Sequence, residues 1–128
     1  MTVETIPAAV QQYFAAIGKK DANSWVGCFD EKGISYEPGA PTPLQGHAAL
    51  GRFIRGVLDL FQTIELTADH VFITGNRTAV KFTGRGRGNN GRDVVVEGID
   101  VFEINENGNI QTMWGYWNPA AMMKQLQG

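Results

Sequence analysis

The spacing of apolar residues changes partway along the chain. Val10, Tyr13, Phe14 and Ile17 recur at i, i+3, i+4, i+7, which predicts a helix from about residue 6 to Gly18. Thr5 and Pro7 suit its start and Gly18 its end. Asp21 and Ser24 are candidate caps for a short second helix carrying Trp25, Val26 and Phe29. Leu50, Phe53, Ile54, Val57, Leu58 and Phe61 form the apolar stripe of a third helix. Between helices two and three lie a short strand, ISYE, and a loop, PGAPTPLQG. From Gln62 the period becomes two, predicting strands over 62–74, 77–87, 92–104 and 110–117. Gly75-Asn76, Gly88-Asn89-Asn90-Gly91 and Asn107-Gly108 supply the turns between them, so the strands form an antiparallel meander. Asn118-Pro119 then opens a short C-terminal helix, AAMMKQL.

Helices segregated from an antiparallel sheet predict an α+β fold: a cone-shaped curved antiparallel sheet wrapped around three N-terminal helices, with a short C-terminal helix. The concave side would hold a pocket. The last strand is aromatic on both faces, since Trp114 and Tyr116 have opposite parity to Met113, Gly115 and Trp117. An exposed aromatic sheet face suggests an interface, here a homodimer through the convex face.

Composition narrows the function classes. At 128 residues the chain is expected to be one domain, 1–128, with no internal repeat or linker. A net charge of −2 with interspersed signs gives no nucleic-acid footprint. One cysteine, Cys28, precludes an internal disulfide and fits a reducing compartment. MTVETIPAAV lacks the basic and apolar regions of a signal peptide, and no run approaches the roughly 18 apolar residues of a membrane helix. The expectation is a cytoplasmic protein with no membrane partner. His47 and His70 are isolated, so no metal site is expected. Gly86-Arg87-Gly88-Asn89-Asn90-Gly91 matches a dinucleotide fingerprint in spacing, but a strand follows it rather than a helix, which makes it a hairpin turn.

Candidate chemistry begins with VEGIDVFEI, Val96 to Ile104. Val94, Val96, Asp100, Phe102 and Ile104 share one face of this strand, with Gly98 among them. A carboxylate on the more apolar face must be paired, neutral, or facing a cavity. Tyr13 sits in the apolar stripe of helix one, and Glu37 ends the short strand before a proline. One reading makes Tyr13 a core residue and pairs Asp100 with Arg85 or Arg92. In the other, Tyr13 and a protonated Asp100 are two donors for a developing oxyanion, and Glu37 moves a proton.

The order AVQQYFAAI, YEPGAPTPLQG, VEGIDVFEI resembles ketosteroid isomerase, a branch of the nuclear-transport-factor-2-like, or SnoaL-like, superfamily. The resemblance runs from the first helix to the last strand. It implies Tyr13 and Asp100 as the oxyanion donors and Glu37 as the general base, where the family carries an aspartate before proline. A neutral carboxylic acid in that enzyme is a known pattern. The implied activity is steroid delta-isomerase-like: cofactor-free proton transfer on a hydrophobic ketone in a deep apolar pocket. The same fold also hosts dehydratases, cyclases, hydrolases and non-catalytic carriers of hydrophobic ligands. Trp25, Phe29, Phe53, Val57, Phe61, Phe82, Met113 and Trp117 are apolar core positions that would line the substrate cavity. Two departures stand out. Glu37 is one methylene longer than aspartate, and a network tyrosine of the third helix corresponds to Ile54.

Overall fold

A computed structural model describes residues 5–128. Helix α1 spans Ala8–Gly18, α2 Ala22–Val26, α3 Gly46–Leu58 and α4 Pro119–Gln127. The strands are β1 Phe29–Tyr36, β2 Leu44–Gln45, β3 Phe61–Thr74, β4 Arg77–Gly88, β5 Asp93–Ile104 and β6 Ile110–Tyr116. They form one sheet in the order β2-β1-β6-β5-β4-β3.

Local chemistry explains most boundaries. Pro7 occupies the N-cap of α1, where a missing N–H costs nothing. Asp21 caps α2 by accepting from the Ser24 backbone N–H at 3.0 Å, and the Ser24 hydroxyl donates back to it. Asn118 caps α4 in the same way, through the Ala121 N–H. Gly91 and Gly108 take φ near +80°, the left-handed conformation their turns require. The Gly88-Arg92 segment closes as a hairpin turn, with the Gly88 N–H donating to the Arg92 carbonyl.

Two apolar residues belong to strands rather than to the predicted helices. Phe29 opens β1, five residues before the expected start at Ile34. A register shift between Phe29 and Ile34 breaks the alternation there, which hid the strand. Phe61 opens β3, because α3 ends at Leu58 and the chain turns through Asp59 and Leu60. The meander β3-β4-β5-β6 is antiparallel throughout. Strand β1 instead joins β6 in parallel, which adds a mixed edge to the expected antiparallel sheet.

Register shifts at Phe61/Thr63 and Ala68/His70 interrupt the β3–β4 ladder, and such shifts bend a sheet. The sheet is curved and unclosed, with α1 packed against β3 and α3 against β1. The principal core lies in the concavity, where Val10, Tyr13, Trp25, Leu50, Val80, Phe102 and Met113 are buried. A second cluster, Phe61, Val94, Met122 and Leu126, holds α4 against the sheet. Tyr36, Val95, Ile99 and Tyr116 remain exposed on the convex side. No described helix is long and apolar enough to cross a membrane.

Candidate active site

Three chain segments bring polar groups into an apolar cavity with about 70 Å³ of free space. Tyr13 comes from α1 and is 4% exposed. Its ring packs edge-on against Phe102, centroids 4.9 Å apart, an arrangement worth about 0.5–1.5 kcal/mol beyond burial itself. Glu37 follows the last residue of β1 and is buried. Asp100 projects from β5, 3% exposed, on a residue pair with Gly115 of β6. Apolar walls come from Ile17, Ile54, Leu58, Ile64, Leu66 and Val96, together with Met122 of α4.

Both carboxyl groups border Gly115 of β6. A Cβ there would lie 3.4 Å from both Asp100 Oδ1 and Glu37 Oε2. Both acids therefore face the same small volume. Glu37 is held from two sides. The Ser35 hydroxyl donates to Oε1 at 3.1 Å, and the Trp117 indole N–H reaches Oε2 at 3.4 Å. No cation forms an ion pair with Asp100 or Glu37 among the described residues; the ion pairs join Arg77 to Glu103, Lys81 to Asp69 and Glu97, and Arg87 to Asp93. The Arg85 and Arg92 partners considered for Asp100 both lie on the exposed surface instead.

Burial without a counter-charge sets the protonation states. Desolvation pushes the Glu37 carboxyl up to about 7, against the pull of the Ser35 and Trp117 donors. Desolvation first, and the Glu37 charge second, hold Asp100 well above the usual carboxylate range. The Tyr13 hydroxyl is also raised, by burial and by Asp100 and Glu37, while the Trp25 indole acts on it in the opposite direction. Near neutrality the site thus contains two neutral donors and one carboxylate poised to gain or lose a proton. Among the described residues of the site, the Trp25 indole N–H is buried with no hydrogen-bond partner, a condition that costs about 1–3 kcal/mol.

A SnoaL-like domain model matches residues 10–113. The chain belongs to the SnoaL-like family. Solved structures agree on the fold of this SnoaL-like protein. A hypothetical protein with a ketosteroid isomerase-like fold from Catenulispora acidiphila, in complex with trimethylamine, superposes with a TM-score of 0.83 at 14% identity, covering 96% of this chain and 95% of that one. SalBIII, an epoxide hydrolase/cyclase-like enzyme of pyran ring formation in the polyether salinomycin, gives 0.76 at 20% identity, over 88% and 90% of the two chains. An LEH-like epoxide hydrolase from Mycobacterium tuberculosis gives 0.72 at 18% identity, over 94% and 88%.

Of the aromatic and apolar residues expected around the cavity of this SnoaL-like chain, Trp25, Phe53, Val57, Phe82 and Trp117 are on its wall. Phe29, Phe61 and Met113 are not; each is buried in the core behind it. Phe29 packs on Trp25, Phe61 belongs to the α4 cluster, and Met113 pairs with Phe102 across β5 and β6. Hydrophobicity reports burial, and it does not separate cavity lining from filled core. Sequence reasoning missed Ser35 as a partner of Glu37. The signal was present, because residues two apart on a strand share a face. Met122 is buried on the cavity wall beside Phe61, Val94 and Leu126. Cys28 is buried, donates to the Ser24 carbonyl at 3.3 Å, and its thiol is pushed by desolvation to about 12, as for an inert structural cysteine.

Proposed function

We propose that this protein catalyses cofactor-free proton transfer on a hydrophobic ketone, a double-bond isomerisation of the ketosteroid-isomerase type. The observation that carries the reading is the uncompensated acid pair: Glu37 and Asp100 border Gly115 in an apolar cavity, with no cation paired to them among the described residues. Glu37, held near 7, suits a base that removes a proton next to a carbonyl and returns it farther along the conjugated system. Negative charge then grows on the ketone oxygen, where Tyr13 and protonated Asp100 would donate hydrogen bonds. The proton leaves and rejoins the same substrate, so no cofactor is required. An exposed strip of Tyr36, Val95, Ile99 and Tyr116 supports pairing of two copies through the convex sheet face.

A second reading has its own support. Glu37 lines not only the cavity but also a groove on its far side, with Tyr36, Pro38, Thr42 and Gly115. Solvent in that groove would lie against the carboxylate. In that case Glu37 would activate water or an internal hydroxyl, and Asp100 would protonate the leaving oxygen, as an epoxide opening or cyclisation demands. A ligand carrier would need the cavity and no base.

The test is an ultraviolet assay of a β,γ-unsaturated 3-ketosteroid converting to its conjugated enone, run with wild type and Glu37→Gln. Conversion by wild type that Glu37→Gln abolishes is the expected result. Hydrolysis of an apolar epoxide without ketone conversion would move the assignment to the second reading. Tight binding of lipophilic ketones, unchanged in Glu37→Gln and without turnover, would mark a carrier.

A further inference from the structure

Trp25 carries a polar atom that neither the fold nor the proton-transfer scheme uses. Its side chain is 1% exposed and lies on the cavity wall, yet its N–H has no acceptor among the described residues. Helix α2 presents it, and Phe29 packs on its other side at 4.9 Å between centroids. The Tyr13 ring is 5.4 Å away, tilted by 44°. The neighbouring cavity residues Ile17, Ile54 and Leu58 offer no acceptor. Both Glu37 oxygens already accept, from Ser35 and Trp117. Among the described residues, the phenol oxygen of Tyr13 accepts no hydrogen bond in the structure.

We propose that Trp25 is a positioning residue whose indole N–H closes onto the Tyr13 hydroxyl oxygen in solution, a bond that tightens when Tyr13 donates to a bound oxygen. This rests on the reading of Tyr13 as an oxyanion donor. An indole nitrogen donates and never accepts. The Tyr13 hydrogen therefore cannot turn toward Trp25 and is left for the cavity. As the phenol gives its hydrogen to a negatively charged oxygen, its own oxygen gains charge, and a donor on that oxygen strengthens the relay. The opposing effect of Trp25 on the Tyr13 hydroxyl agrees in sign with such a donor. With isoleucine at 54, and with the Trp117 N–H turned to Glu37, Trp25 is the indole left for this role among the described wall residues.

The test uses nitrogen-15-labelled protein, in which the indole resonances of Trp25, Trp114 and Trp117 are assigned by single Trp→Phe substitutions. Without ligand, Tyr13→Phe keeps the ring and removes the acceptor. It should shift the Trp25 indole proton upfield and speed its exchange with solvent; an unmoved resonance overturns the proposal. Binding of 4-nitrophenolate then reads the relay. Trp25→Phe should weaken it roughly tenfold in the wild-type background and leave it unchanged in the Tyr13→Phe background. Equal losses in both backgrounds would mean direct contact or packing, and would also overturn it. Should wild type fail to bind 4-nitrophenolate, the donor reading of Tyr13 fails on its own, while the Tyr13→Phe spectrum still decides whether Trp25 and Tyr13 are bonded.

Discussion

Glu37 Oε2 and Asp100 Oδ1 both border Gly115, each 3.4 Å from where a Cβ would sit. Among the described residues no cation pairs with either acid; burial raises both, and the Glu37 charge adds to the rise of Asp100. The lower member, Glu37, reaches about 7, and Asp100 stays protonated above it. A site of this kind separates acid and base roles by environment rather than by residue type.

Folding stability should register this arrangement. The Glu37 carboxyl titrates at about 7 in the folded chain against 4.5 as a free side chain. Between those values the unfolded state releases its proton first, so stability falls as pH rises from 4.5 toward 7. The Glu37 contribution to that fall is about 3 kcal/mol. Urea denaturation across this range should show the slope, and Glu37→Gln should flatten it. A wild-type stability that rises with pH over the same interval would contradict a buried, uncompensated Glu37.

Asp100→Asn addresses the other acid. The raised Asp100 pKa means its charged form burdens the fold at high pH, and no cation is left unpaired when it is replaced. Melting temperature near pH 8 is expected to hold or rise in Asp100→Asn. Turnover should drop, though by less than the roughly hundredfold to thousandfold that follows complete loss of an oxyanion donor. A melting temperature lowered by many degrees would point to a structural ion pair instead.

Ser35 and Trp117 should tune the base. Both hydrogen bonds favour ionised Glu37, so their removal raises its pKa. The rate of a reaction that needs the carboxylate rises with pH through about 7 in wild type. In Trp117→Phe and Ser35→Ala that inflection should move to higher pH. Kinetics of kcat/KM against pH measure it, and a shift to lower pH would exclude this role.

Self-association is the fourth expectation. Tyr116 is 61% exposed and Ile99 is 45% exposed on adjacent strands. Wild type should sediment at twice the chain mass, and Tyr116→Asp combined with Ile99→Asp should sediment as the monomer. A monomeric wild type at high micromolar concentration would remove the dimer.

Much of the fold was legible because periodicity is a local property. Alternation over Val94 to Ile104 places Asp100 on the buried face of β5, and a one-residue slip would have reversed every assignment. The stripe of α1 likewise turned Tyr13 inward. Errors arose where local pattern and tertiary demand diverged. Phe61 continued the α3 stripe in phase, yet it starts β3 because the chain reverses at Asp59 and Leu60. Phe29 continued the α2 stripe and begins β1, whose bulge conceals the period.

The types of element, their order, the inward-facing acids and the turns each follow from neighbours within a few positions along the chain. What those acids meet depends on contacts between distant segments. Trp117 and Glu37 lie 80 residues apart, and the pairing of β1 with β6 brings their segments together. The curvature of the sheet then left space between Glu37, Asp100 and Tyr13, while Phe29, Phe61 and Met113 filled theirs. Hydrophobicity specifies that a side chain leaves water, whereas packing in three dimensions decides whether it borders a cavity or fills the core.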